Sequence, residues 1–171
     1  GVKSLTTEQL IKVFTGKVTN WKQVGGNDCQ IVLVSRPSSS GTRATFEQYA
    51  LKKHASQSNQ SLETDNSGTL VQMIQSVSGS IGYVSLSYLT GDPQVGIVSI
   101  NGVKPTLKNV YNGKYTVWSY EHMYTKGQPK GAAKAFLQQM LSKEYSKKIE
   151  AMGYGVASKL LAAAKATHAN K

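Results

Sequence analysis

The chain has 171 residues, of which 39% are hydrophobic and 17% charged. That length and balance provide for one domain or two small lobes around a proper core, and exclude a disordered chain. A formal charge of +11, from 20 Lys+Arg against 9 Asp+Glu, attracts anions, but the basic residues stand singly or in pairs. No run of five or more occurs, so the pattern is a diffuse positive field and not a nucleic-acid tract.

No apolar run reaches the ~20 residues a membrane span needs. Cys29 is the single cysteine; it has no CxxC partner and reads as a structural thiol. The chain opens on Gly1 with no secretory leader, and is expected to be a processed or excised piece of a longer polypeptide.

In chain order, Thr6-Thr7-Glu8-Gln9 predicts a helix start, with Thr6 as cap, Gln9 reaching back, and Leu5 and Leu10 as a staple. Leu10, Val13 and Phe14 give it one apolar face, and Gly16 stops it. A turn over Trp21–Gly26 leads to Ile31-Val32-Leu33-Val34, a buried strand of the kind found in parallel sheets. Phe46, Tyr49 and Ala50 fall at helical spacing and predict a helix from about Thr42 to Lys53, followed by a polar loop from His54 to Leu62. Ser67 is expected to cap a further helix carrying Leu70, Met73, Ile74 and Val77.

Strands are expected at Ile81–Leu86 and Val95–Ile100, the second closed by the tight-turn pair Asn101-Gly102. Tyr115–Tyr124 is β-like. Pro129 opens a helix with Phe136, Leu137, Met140 and Leu141 inward, and another runs from Glu144 to Met152 and stops at Gly153. The Ala-rich tail from Lys159 to His168 reads as a helix or a frayed end. Alternating strands and helices predict an α/β fold.

SRPSSSGT, residues Ser35–Thr42, links the predicted strand to the helix after it. A flexible linker, a helix cap with surplus serines, a patch for an acidic partner and a pocket for a small oxyanion all fit its composition. The pocket has a physical basis. In open α/β sheets ligands bind at the carboxyl ends of strands, and a helix N-terminus presents free N–H groups and partial positive charge. Gly41 admits close backbone approach, Ser40 and Thr42 bring hydroxyls, and Arg36 brings a planar fork matched to two oxygens of an oxyanion. A second Ser-Gly-Thr, Ser67-Gly68-Thr69, faces the same cleft or is a plain cap, the plain cap being the simpler reading.

Enzyme signatures are missing. Neither GxxxxGK[ST] nor GxSxG occurs, and His54, His122 and His168 read as scattered surface residues, neither bases nor metal ligands.

The ordered series LTTEQLIKVFTGKVTNW, RPSSSGTRATF, GSIGYVSLSYL, NGVKPTLKNVYNGKY and KAFLQQMLSKEYSKKIEAMGY resembles the phosphate-binding proteins of ABC import systems, of the periplasmic-binding-protein superfamily. The resemblance runs to about Gly155. It implies two hinged lobes closing on phosphate, with Arg36, Ser40, Gly41 and Thr42 as second-lobe ligands and an aspartate in the first lobe. That carboxylate accepts a hydrogen bond from protonated phosphate, which sulfate cannot offer.

The chain departs from the family pattern in one respect: it starts where the second lobe starts, so the first lobe's N-terminal segment is expected to be missing. Asp28, Asp65 and Asp92 do not match the ligand aspartate. Residues 1–105 are expected to be the second lobe, and 106–171 a C-terminal segment returning towards the first.

The resemblance implies a periplasmic-binding-protein-like lobe with a mixed, mainly parallel sheet flanked by helices. It implies a non-enzymatic extracellular or periplasmic receptor, lipoprotein-anchored in the full-length parent, that hands inorganic phosphate to ABC permease subunits in the membrane. No cofactor, metal or nucleic acid is implied, and the piece by itself is expected to self-associate. The alternative from another class is a basic nucleic-acid or anionic-surface binding module. Its mark would be aromatics interleaved with Lys and Arg on one face, whereas the tyrosines here cluster in strand-like segments.

Overall fold

The computed structural model describes residues 1–56, 61–91 and 94–168. Strand β1 (Ser4–Leu5) runs straight into helix α1 (Thr7–Phe14). Thr6 Oγ1 accepts from the Gln9 N–H at 3.1 Å and Gln9 Oε1 from the Thr6 N–H at 2.9 Å, so the capping box forms as the sequence predicts. Leu5 and Leu10 are both buried on its core side.

Three further strands form one parallel sheet: β2 (Val32–Ser35) at the centre, β3 (Ser61–Glu63) on one side and β4 (Ser80–Ile81) on the other. Helix α2 (Gly41–Tyr49) carries the chain from β2 to β3, and α3 (Ser67–Ser76) carries it back across to β4. A connection that leaves the central strand one way and returns the other creates a switch point at the carboxyl end of β2. A second parallel pair joins β1 to β5 (Ser99–Ile100). Antiparallel pairing occurs among the described residues as isolated bridges, Asn20 with Gln30 and Ile100 with Val103.

The core lies between α1, α2 and the central sheet. Phe14, Leu5, Leu51, Val13 and Val34 are essentially inaccessible. Phe14 meets Phe46 edge-on at 4.7 Å, and Phe46 stacks on Tyr83 at 4.2 Å with the rings 10° apart. This aromatic trio locks α1 and α2 to the segment after β4.

Several strand expectations contract. β4 pairs with β2 only through Ser80 and Ile81. At Gly82 a Cβ would lie 2.8 Å from Leu70 Cδ2 and 2.9 Å from the Val34 carbonyl; past this close approach the chain leaves the ladder so that the Tyr83 ring enters the core. β5 is confined to Ser99–Ile100 because β1 offers only two partners. Tyr115–Tyr124 is irregular; β propensity needs a pleated neighbour to pack against, and none pairs with it among the described residues. The expected loop from His54 to Leu62 lies partly outside the described residues, and its end is instead β3, paired with β2 from Leu33↔Ser61 to Ser35↔Glu63.

α2 ends at Tyr49, short of Lys53, and Lys52 and Lys53 both turn left-handed with φ of 49° and 69°. Beyond β5, apart from the irregular stretch Tyr115–Tyr124, the α-helices are α4 (Leu107–Tyr111), α5 (Gly131–Met140), α6 (Lys143–Ala151) and α7 (Ala162–Ala166). On α5, Leu137 and Met140 are half-buried, but Phe136 is 58% exposed and Leu141, just past its end, 78% exposed, so that pair is not inward. The Ala-rich tail is docked, not frayed. Leu160 and Ala164 are buried, and the Leu161 N–H donates to the Tyr111 carbonyl at 2.9 Å.

Candidate oxyanion-binding site

Strand β2 ends at Ser35, and the loop from Arg36 to Ser40 carries the chain to α2. Its position is the carboxyl end of the central strand, at the switch point. Ser40 is the N-cap of α2: its Oγ accepts from the Arg43 N–H at 3.3 Å. A hydroxyl that accepts with a lone pair keeps its own O–H as a donor, so the cap and ligand readings of Ser40 are compatible. Gly41 is exposed, and a Cβ there would meet nothing within 4 Å. Thr42 follows, half-buried. The N–H groups of this first turn have no intrahelical acceptor.

Arg36 is held from three directions. Its N–H donates to Tyr83 Oη at 3.2 Å, and the same hydroxyl lies 3.2 Å from Ser35 Oγ. Its Nη1 donates to Ser67 Oγ at 2.7 Å, and its Nη2 donates to the Asp65 carbonyl. Its carbonyl accepts from Arg43 Nη1 at 2.9 Å. Nε is buried with no hydrogen-bond partner among the described residues, an unsatisfied charged donor of the kind that native structures reserve for a ligand or strain.

Arg43 is fixed in turn by Glu47, whose Oε1 accepts from Arg43 Nε at 2.8 Å and from the N–H and hydroxyl of Ser56 at 2.9 and 2.8 Å. Burial would raise the Glu47 carboxyl. Donation from the Ser56 N–H, the Arg43 guanidinium and the Ser56 hydroxyl outweighs it and holds the group below its ordinary value.

The sequence-predicted residues Arg36, Ser40, Gly41 and Thr42 are all among those lining an open cleft of about 1790 Å³, as are Tyr83 and Trp118. That volume far exceeds a tetrahedral oxyanion, so these residues form one face and not an enclosing cage.

Sequence reasoning missed Tyr83 and Arg43, and weighed Ser67 only as a helix cap or a residue facing the cleft. Ser67 does not cap α3; Asn66 does, its Oδ1 accepting from the Thr69 N–H at 3.0 Å. Asn ranks at least as high as Ser at that position, and this was the available signal. Of the aspartates, Asp28 pairs with Lys22 at 3.3 Å on the surface, Asp65 contributes its carbonyl, and Asp92 lies outside the described residues. His54 and His122 are exposed as expected. His168 is not a free surface residue, for its ring stacks on Trp118 at 3.8 Å and on Tyr49 at 4.1 Å. No group of three or more His, Cys, Asp or Glu among the described residues is placed to hold a metal ion.

Parallel strands in the order β3-β2-β4, with a polar loop and a helix N-terminus at the end of the central strand, define an α/β lobe with loops at the carboxyl ends of its strands, the place where such folds bind ligands. A family model described as a PBP superfamily domain matches residues 1–144, and the chain belongs to that superfamily. It is 48% identical over 149 residues, 87% of its length, to the phosphate-binding protein PstS of Bacillus subtilis (strain 168). A phosphate-bound structure of a phosphate ABC transporter substrate-binding protein from Clostridium perfringens superposes with a TM-score of 0.76 at 33% identity, covering 89% of this chain and 62% of that one. An ABC-type phosphate transport receptor from Vibrio cholerae gives a TM-score of 0.67 at 27% identity, covering 90% of this chain and 64% of that one. The chain spans 49% of the Bacillus subtilis protein, about half its length.

Proposed function

We propose that this chain is the second-lobe part of a non-catalytic receptor for inorganic phosphate, with Arg36, Ser40, Gly41 and Thr42 supplying that lobe's share of the ligand contacts. The observation that carries the reading is Arg36, anchored at the carboxyl end of the central strand beside the α2 N-terminus with Nε buried and without a partner among the described residues. A guanidinium, a hydroxyl donor and helix N–H groups on one wall suit a small tetrahedral oxyanion.

In this reading residues 1–105 are the second lobe and 106–171 the segment returning to the first. Support comes from the strands: among the described residues, the last strand of either parallel sheet ends at Ile100. The first lobe, formed largely by sequence that relatives possess and this chain does not span, closes the cleft and contributes the carboxylate that accepts from protonated phosphate. The receptor works outside the cytoplasmic membrane, anchored as a lipoprotein, and hands its ion to ABC permease subunits. The names of the relatives support this role, being phosphate-binding and phosphate-transport proteins.

The test is calorimetric titration of the full-length protein with phosphate. Arg36→Ala is expected to cost ~3 kcal/mol or more of binding, since a buried charge partner is lost. A change in affinity of less than about threefold, some 0.7 kcal/mol, overturns the assignment.

A further inference from the structure

Ser67 occupies the first position of α3 yet takes no part in capping it, because Asn66 does that work. Its hydroxyl is thereby released to the Arg36 side chain, accepting from Nη1 at 2.7 Å. The carbonyl two residues earlier, on Asp65, accepts from Nη2. One short turn between β3 and α3 thus holds both tips of the guanidinium fork, and leaves Nε as the nitrogen without a partner among the described residues. Both acceptors are uncharged. The ion pairs among the described residues are Lys22 with Asp28, Arg43 with Glu47 and Lys159 with Glu150, so none engages Arg36.

We propose that Ser67 is a positioning residue for Arg36, a neutral clamp that fixes the azimuth of the guanidinium without neutralising it. A carboxylate in the same place would orient the fork equally well, but it would compete with the ligand for the charge. A hydroxyl lone pair fixes the direction of one N–H and leaves the cation's positive field uncompensated and available to an oxyanion in the cleft. The two Ser-Gly-Thr motifs are thus divided in labour: Ser40-Gly41-Thr42 faces the ligand, and Ser67 aims the arginine that faces it. The inference rests on Arg36 being a phosphate ligand, the reading proposed above.

The experiment titrates inorganic phosphate into the full-length protein at constant ionic strength, comparing wild type with Ser67→Ala, Ser67→Thr, Ser67→Asp and Arg36→Ala, each also taken through a thermal melt. Loss of one hydrogen bond to a charged group is expected to weaken binding ~10-fold in Ser67→Ala. Ser67→Thr, which keeps the hydroxyl, is expected to restore affinity to within about threefold. Ser67→Asp is expected to bind more weakly than Ser67→Ala because it neutralises the guanidinium. A merely structural role for Ser67 predicts losses that track the melting temperature and not the presence and charge of the side-chain oxygen, and that pattern would overturn the proposal. Ser67→Asp binding as tightly as wild type would overturn the neutral clamp. Wild-type affinity in Ser67→Ala with Arg36→Ala impaired would overturn this inference alone. Wild-type affinity in Arg36→Ala would overturn both it and the reading on which it rests.

Discussion

Arg43 shows how a residue away from the cleft decides the shape of its wall. One guanidinium bridges the Arg36 carbonyl, the Ser56 carbonyl and Glu47, tying the start of the loop to the segment after α2. Glu47 is the keystone, because it accepts three hydrogen bonds, one from Arg43 Nε and two from the N–H and hydroxyl of Ser56, while largely shielded from water. Glu47→Gln is expected to lower stability by on the order of 1 kcal/mol at neutral pH. The pH dependence has a definite sign. The native carboxyl is held below its ordinary value of 4.5, so its contribution is fully present above about pH 4.5 and is lost as pH falls through the native value. Urea denaturation of both proteins at neutral and acid pH checks this: the gap between them narrows in acid, and a gap that widens or stays constant contradicts the assignment.

Among the elements, α1 is the one whose start rests most completely on local chemistry. Thr6 and Gln9 satisfy two otherwise orphaned N–H groups by bonding each other's backbone. Thr6→Ala is expected to cost ~1 kcal/mol, lowering the melting temperature by a few degrees, about 2–4 °C for a chain of this size. α1 buries Leu10, Val13 and Phe14 against the core, so the same change is expected to protect fewer amides of α1 in hydrogen exchange. Unchanged exchange across Thr7–Phe14 would show that packing alone holds the helix.

At the scale of the molecule, two half-buried phenols set an alkaline limit. Burial, and then the hydrogen bond to the Glu150 carboxylate, pushes Tyr111 up to about 12, and burial alone pushes Tyr115 up to about 12. Below the ordinary value of 10.0 the folded and unfolded chains hold the same protons, so these groups add no pH dependence. Between about 10 and 12 the unfolded phenols ionise while the native ones do not, and stability falls as pH rises. Denaturant melts across that range, read together with phenolate absorbance, are expected to show the two tyrosines ionising as the chain unfolds; early ionisation without loss of structure is the contrary result.

The same scale governs the ligand. On the reading proposed above, charge-assisted bonds from Arg36 to phosphate in the open cleft would be screened by water and each would contribute less. The 171-residue chain alone is expected to bind phosphate at ~1 mM or weaker. It is also expected to self-associate through exposed apolar groups such as Phe136, Leu141 and Leu161. Titration alongside light scattering tests both, and micromolar binding by a strict monomer defeats the two-lobe account.

What the sequence determined by itself was local. The Thr6 capping box, β2 as a buried apolar run, the loop ahead of α2 and α6, expected over Glu144–Met152 and found over Lys143–Ala151, all rest on bonds or spacings within a few residues, and each lies within a residue or so of where the sequence places it. What only the tertiary structure decided were features with partners far along the chain. β3 is a strand because β2 has an open edge for Ser61–Glu63, and Tyr115–Tyr124 is irregular because no strand is paired with it among the described residues. Tyr83 joins the candidate site because its ring is pinned by Phe46 and its hydroxyl reaches back 47 residues to the Arg36 N–H. Ser67 meets Arg36 across 31 residues, and His168 stacks on Trp118 across 50. A cap is chosen by its own neighbours, whereas a strand pairing or a clamp exists only once the chain has folded and supplied the other half.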